Sequence, residues 1–121
     1  MEPEGRDAAS VADMLKYARK ARDIAAGHTF DECVASPELR YALERVVEIV
    51  GEAASRISRP FRQGHPEVPW DDIAGMRVIL AHRYSSVRPD RVWQTVVEDV
   101  PALIAALEPL VPTPPDEGAS V

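Results

Sequence analysis

The sequence predicts an all-α protein, an up-and-down bundle of four or five helices. Apolar residues recur at three- and four-residue spacing along most of the chain, and Ser, Thr, Pro and Gly residues mark helix starts and stops. No segment alternates apolar and polar residues as a half-buried strand does. In a chain of 121 residues, we predict one helical domain over residues 10–111, between a disordered N-terminus (residues 1–9) and a disordered Pro-rich tail (residues 112–121).

Capping residues mark the first three helices. Ser10 is a candidate N-cap, and the helix it opens is expected to stop at Gly27. The residues Thr-Phe-Asp-Glu at 29–32 have the pattern of a capping box and predict a short second helix. Ser36-Pro37 begins the longest helix, with Pro at the first helical position. Its apolar positions form one line, close to a 3.5-residue repeat: Leu39, Leu43, Val46, Val50, Ala53 or Ala54, and Ile57.

Proline residues divide the second half of the chain. Pro60 is expected to end the longest helix, and a loop leads to Pro69, where another helix begins. Gly75 weakens that helix by about 1 kcal/mol relative to Ala, and close approach of another helix is one reason to have Gly there. Pro89 starts the next helix, and Pro101 is expected to kink or restart it before Ala102–Leu110 completes the bundle.

Composition and charge exclude several classes of protein. One cysteine excludes a disulfide scaffold and a cysteine-rich zinc module, and no apolar run is long enough to cross a membrane. The acidic, polar start is not a signal peptide, so a cytoplasmic protein is expected. The net charge of −6 argues against a nonspecific nucleic-acid coat. Residues 56–91 nevertheless hold seven arginines against four acids, which either attract an anion or form solvated helix surfaces.

The segment from Arg77 to Tyr84 is the candidate site. Cys33 is expected to be a buried thiol, and His28 and His65 to be surface histidines. Arg77 and Tyr84 share one helical face, whereas His82 lies about 140° around the helix from Arg77. Either the helix ends near His82, or a second copy of the chain completes the site across a two-fold axis.

These residue types suit cleavage of an RNA phosphodiester. Histidine exchanges protons near neutral pH, and arginine presents a permanent donor fork to phosphate, so no metal or cofactor is called for. Glu52 is a candidate for orienting an arginine. Structural alternatives stay open: Arg77 in an ion pair with Asp71, Asp72 or Glu52, His82 as an interhelical histidine, and Tyr84 as a core or interface aromatic.

The segment resembles the R-x4-H-x-Y motif of HepT-like ribonuclease toxins, within the HEPN superfamily of helical domains. The likeness spans about residues 10–110. Besides the motif it includes F-D-E-C after the first helix, V-V-E-I-V-G-E-A-A in the long helix, P-E-V-P-W before the motif, and V-W at Val92-Trp93.

The resemblance implies a HEPN-like homodimer whose paired motifs form one cleft for RNA, with activity as a metal-independent RNase toxin. Arg77 and His82 then occupy the catalytic positions. Tyr84 occupies the position to which a cognate nucleotidyltransferase antitoxin adds AMP, a bulky anion that would repel RNA. Arg83 and Arg88 are candidates for phosphate contacts. Membrane association is not implied.

Two positions depart from the family pattern. Val78 stands where a polar residue, often Asn, follows the motif arginine, and this predicts reduced or absent turnover. Arg88 stands where Asp is usual, and its positive charge favours RNA or an acidic partner. The alternative function is therefore a non-catalytic helical subunit that holds substrate or nucleotide for a minimal nucleotidyltransferase. A helical dimerisation domain without a ligand is a third interpretation.

Overall fold

The computed structural model describes the backbone of residues 3–81 and 89–111, and the side chains of residues 5–76 and 90–111. This part of the chain is all-α, as predicted, and contains no strand. The helices are α1 (Pro3–Ala26), α2 (Phe30–Ala35), α3 (Pro37–Ser55), α4 (Arg59–Gly64), α5 (Trp70–Ala81), α6 (Pro89–Gln94) and α7 (Val100–Leu107). A π-helical segment, Thr95–Asp99, joins α6 to α7, and a 3₁₀ turn, Glu108–Leu110, follows α7. None of the described helices has the length and apolarity needed to span a membrane.

Helix α1 begins at Pro3, so the predicted start at Ser10 is wrong, and residues 3–9 are helical where a disordered segment was expected. Asp7 is only 4% exposed. Its carboxylate accepts hydrogen bonds from the Ser58 backbone N–H at 2.8 Å and the Ser58 hydroxyl at 2.6 Å. A partner fifty-one residues away thus stabilises the first turns of α1, and no local pattern could reveal it. The tail, residues 112–121, lies outside the described residues.

The capping signals of α2 and α3 are confirmed. The Thr29 hydroxyl accepts from the Glu32 N–H at 3.1 Å, and the Glu32 carboxylate accepts from the Thr29 N–H at 2.7 Å. The Ser36 hydroxyl accepts from the Leu39 N–H at 3.3 Å, and Pro37 opens α3. These bonds satisfy N–H groups that the first helical turn leaves without partners.

Helix α4 corrects the expected role of Pro60. Helix α3 ends at Ser55, and Arg59–Gly64 forms a short helix where a loop was predicted. The Ser58 hydroxyl caps it by accepting from the Phe61 N–H at 3.3 Å. Proline fits the first turn of a helix because its missing N–H is not needed there, so Pro60 begins α4 and does not end α3.

Helix α5 begins at Trp70, directly after Pro69 as predicted. The close approach of another helix, one reason for a glycine at position 75, is not found in the described part of the chain, because a Cβ placed there would meet no heavy atom within 4 Å. Pro101 has the predicted effect. It lies in the first turn of α7, directly after the π-helical segment, in which the Val100 N–H bonds to the Thr95 carbonyl. Proline has no N–H to continue a regular α-helix, which accounts for the restart.

The core lies between α1, α3, α5 and the α6–α7 helix. Helix α3 packs against both α1 and α5, and α7 packs against α1. The predicted apolar line of α3 is buried from Leu43 to Ile57, with Leu39 partly buried. Helix α5 packs mainly against α3, and this packing positions the part of the candidate motif that α5 carries.

Candidate functional site

Helix α5 carries the first residue of the candidate site. Arg77 is helical and stands one turn before Ala81, the last described residue of α5. Its side chain is outside the described set, as are the residues His82, Arg83, Tyr84 and Arg88. The expected convergence of Arg77 and His82 therefore stays a prediction, and the structure determines how the helix leading into the motif is held.

Trp70 anchors the start of α5. It is 5% exposed, and its indole N–H donates to the His65 carbonyl at 2.9 Å. The Phe61 ring packs edge-on against it, with ring centroids 6.0 Å apart. Ile73 and Met76 follow at helical spacing and are buried. Trp70 is thus a packing residue, and these contacts fix the helix two turns before Arg77.

Arg62 is a positioning residue that the sequence did not reveal. Its guanidinium donates to the Ala54 carbonyl at 2.8 Å and to the Ile57 carbonyl at 3.1 Å, at the end of α3. It also pairs with Asp71 in the first turn of α5 at 3.5 Å. One side chain thus joins the end of α3 to the start of α5. The sequence does offer a signal, because basic side chains often bind the last carbonyls of the preceding helix. Arg56 and Arg59 also follow the end of α3, however, so this signal does not single out Arg62.

Glu52, the candidate orienting acid, lies on α3 and is partly exposed. Its carboxylate is 3.9 Å from the guanidinium groups of Arg45 and Arg56. Ion pairs at this separation between partly exposed groups contribute little to stability. Both of these partners belong to α3 or its end, so an action of Glu52 on the motif arginine remains a hypothesis.

An open cleft of about 860 Å³ lies between α4 and the start of α5. Arg59, Arg62 and Gln63 line one part of it, and Asp71 and Asp72 line another. Because both signs of charge face this cleft, it has no clear preference for an anion. The positive zone predicted from the sequence is thus partly neutralised at its α4 end.

Cys33 and the two described histidines have the surroundings expected from the sequence. Cys33 is buried, and burial together with the nearby Glu32 charge raises the pKa of its thiol. His28 is exposed and lies 3.9 Å from Glu32, and the ring of His65, which is partly exposed, lies 4.6 Å from that of Phe61. A protonated, buried thiol is a poor nucleophile, which leaves the motif as the candidate for chemistry.

Residues 14–110 match the family described as Ribonuclease HepT-like. The chain belongs to this HepT-like family. The resemblance found in the sequence is thereby confirmed, and with it the HEPN-like fold class. The matched span contains the whole segment from Arg77 to Tyr84 and all of α2 to α7.

Curated relatives agree with the HepT-like assignment. The protein named Probable ribonuclease HepT from Thermococcus cleftensis is 38% identical over 81 residues, 67% of this chain and 74% of that relative. A provisionally named RNase of Methanocaldococcus jannaschii is 34% identical over 100 residues, 83% of this chain and 92% of its own length. Another from Caldanaerobacter subterraneus subsp. tengcongensis is 40% identical over 77 residues, 64% and 69% of the two chains. No solved structure gives a significant match to the chain.

Proposed function

We propose that this HepT-like protein is a metal-independent endoribonuclease and the toxin of a toxin–antitoxin pair. The observation that carries the proposal is the family match over residues 14–110, which contains the R-x4-H-x-Y motif in register with its flanking residues. The relatives named above as ribonucleases support the same reaction class.

The motif residues divide the chemistry between them. In cleavage of RNA, a 2′-hydroxyl oxygen attacks phosphorus and the 5′ oxygen leaves, so one proton must be removed and another supplied. His82 moves protons in this step, since imidazole titrates near neutral pH. Arg77 holds the nonbridging phosphate oxygens through its planar donor fork. Arg83 and Arg88 contact neighbouring phosphates of the strand.

Two copies complete the site. In a continuous helix, Arg77 and His82 point about 140° apart, which is too far for both to reach one phosphate from a single regular helix. A two-fold axis beside the motif places the arginine of one copy opposite the histidine of the other. The homodimer cleft then binds one RNA strand between two motifs.

The regulatory partner is a nucleotidyltransferase antitoxin that modifies Tyr84. The tyrosine hydroxyl oxygen attacks the α-phosphorus of ATP, loses its proton to solvent or a base, and pyrophosphate leaves. The product carries AMP on Tyr84, and its negative charge and bulk exclude RNA from the cleft.

Substitution of the motif residues tests the nuclease. Arg77→Ala and His82→Ala are each expected to lower RNA cleavage in EDTA by about a hundred-fold or more, with unchanged circular dichroism. Arg22→Ala, on the exposed face of α1, is the matched control and is expected to cleave normally. A wild-type protein that leaves all cellular RNA intact, after its partner has been removed, would falsify the proposal.

Tyr84→Phe tests the partner. Co-expression with the proposed antitoxin is expected to raise the intact mass of the wild type by multiples of one AMP group and to leave Tyr84→Phe unmodified. The variant is also expected to stay toxic beside the antitoxin. Neutralisation of Tyr84→Phe would show that binding alone silences the protein.

Val78 favours a second candidate, the non-catalytic subunit of a minimal nucleotidyltransferase. Valine cannot form the hydrogen bond that the usual polar residue could offer beside the motif arginine. In that case Arg77 binds phosphate without a catalytic role, and the partner modifies a small molecule more readily when this chain is present. Detectable cleavage of RNA by the purified chain, abolished in His82→Ala, decides against it.

A further inference from the structure

Helix α5 and the α6–α7 helix flank a groove in the described part of the bundle. Helix α3 packs against α1 and α5, and α7 packs against α1, whereas the described residues of α5 make few contacts with the α6–α7 helix. The groove has a volume of about 440 Å³. It adjoins the cleft beside α4, with which it shares Pro69 and Asp72, and the role proposed for the motif does not use it.

The floor of this groove is apolar. Ile73 and Met76 of α5 line one wall, and Ala102, Leu103 and Ala106 of α7 line the other. Ile73, Met76 and Leu103 are themselves buried in the core, whereas Ala102 is exposed and Ala106 is partly exposed, so the apolar surface open to a partner lies mainly on the two alanines. Burial of the exposed apolar surface of the groove against a partner is favourable, because it removes that surface from water.

The rim of the groove is acidic. Glu67, Asp72, Glu98 and Asp99 line it, and Arg91 is the one cation among the lining residues whose side chains the structure describes. Among the described side chains, Glu67 pairs with His65 at 3.4 Å, and no cation pairs with Asp72, Glu98 or Asp99. Four carboxylates around an apolar floor complement a segment that carries Lys or Arg beside an apolar stripe.

The length of the groove suits two turns of helix. From Pro69 to Met76, the α5 wall spans about 10 Å at the helical rise per residue. A docked helix places apolar anchors at i, i+3 or i+4, and i+7 over the same distance.

We propose that the groove between α5 and the α6–α7 helix is a docking site for a basic amphipathic helix of a partner protein. The chain's own ends do not fit, because residues 1–4 hold two glutamates and residues 112–121 hold Asp116 and Glu117 without a cation. A second copy of the chain does not fit either. This exclusion rests on the proposed function, in which Arg77, Arg83 and Arg88 of each copy bind RNA in the shared cleft and are not available to the groove.

Docking there bears on the motif helix. Met76 of the groove wall is the residue before Arg77, and Arg91 of the opposite rim follows the motif segment by a few residues. A helix seated in the groove packs against the α5 wall that Asp72, Ile73 and Met76 line. The partner therefore holds the helix that carries Arg77.

A model peptide tests the chemistry of the groove. The probe is a 14-residue Leu/Lys peptide with helical amphipathic spacing, titrated into the full-length protein by calorimetry. Asp72→Lys/Glu98→Lys is expected to weaken binding about ten-fold or more. Asp13→Lys/Asp23→Lys changes the net charge equally at exposed α1 positions outside the groove, and it is expected to bind like the wild type. Ala102→Trp, which fills the groove without a charge change, is expected to weaken binding as well.

Each other outcome overturns the docking proposal. Absence of peptide binding to the wild type, or equal binding to the groove variants, contradicts it, as does equal binding of a Leu/Glu peptide. If the groove charge reversal alone converts a dimer to a monomer by light scattering, the groove is a contact between copies. The groove variants are expected to cleave RNA at the wild-type rate. If the wild-type protein itself cleaves no RNA, that result refutes the proposed function and leaves the test of the groove unaffected.

Discussion

The residue that follows the motif arginine sets the hydrogen-bonding capacity beside the proposed catalytic pair. Val78 brings no polar atom, whereas the family usually has a polar residue there. Val78→Asn is expected to raise kcat for RNA cleavage several-fold, because an amide can donate to the phosphate or orient the Arg77 guanidinium. Kinetics on a short single-stranded RNA measure this. Val78→Thr serves as the control for shape, since it keeps the branched form of valine.

Single residues also hold the α3–α5 connection. Arg62→Met is expected to lower the free energy of unfolding by about 2 kcal/mol, because it removes hydrogen bonds to two backbone carbonyls and keeps much of the side-chain bulk. Urea unfolding followed by circular dichroism measures the change. Arg59→Met, in the same short helix but without a recorded bond to those carbonyls, is the matched control. Equal stability of the two variants would contradict the role assigned to Arg62.

At the scale of elements, Gly75 is an unexplained weak point in α5. No described atom lies near the place of its missing Cβ. Gly75→Ala is therefore expected to raise the free energy of unfolding by about 1 kcal/mol through helix propensity alone. Thermal unfolding measures this. If Gly75→Ala is more stable but does not cleave RNA, then RNA or a second copy of the chain approaches Gly75 closely. If the variant is less stable, the space next to Gly75 is not open.

Helix α2 links stability to pH. Hydrogen bonds from Thr29, first from its backbone N–H and then from its hydroxyl, lower the pKa of Glu32 below its ordinary 4.5. A lowered pKa in the folded protein contributes stability above the unfolded value, and this contribution is lost as pH falls through the folded value. Glu32→Gln is thus expected to cost stability at neutral pH and less at an acidic pH below the pKa of Glu32 in the folded protein. Unfolding at the two pH values checks this, and a pH-independent difference would oppose it.

At the scale of the whole molecule, charge is unevenly distributed. The chain is acidic overall, yet residues 56–91 carry an excess of arginine. If about three phosphates are neutralised on a single strand, kcat/KM for RNA is expected to fall roughly twenty-fold between about 50 and about 200 mM salt. Cleavage of one RNA across a salt series measures the slope. A flat salt profile would contradict phosphate binding by the arginines.

Local chemistry was enough to predict α2 and the starts of α3 and α5. Thr29, Ser36 and Pro69 act within a few residues of themselves, so their effects can be read along the chain. The same holds for Pro101, which lacks an N–H wherever the helix lies in space. The family motif was also legible, because it is a pattern of residue types at fixed spacing.

The sequence by itself determined the all-α class, most helix starts, the buried line of α3 and membership of the HepT-like family. Only the tertiary structure decided that α1 begins at Pro3, that Arg62 joins α3 to α5, and that an acidic groove separates α5 from α7. The physical reason is distance along the chain. Asp7 and Ser58 form hydrogen bonds although fifty-one residues separate them in the sequence. The groove likewise depends on how two helices that are distant in the sequence are placed relative to each other.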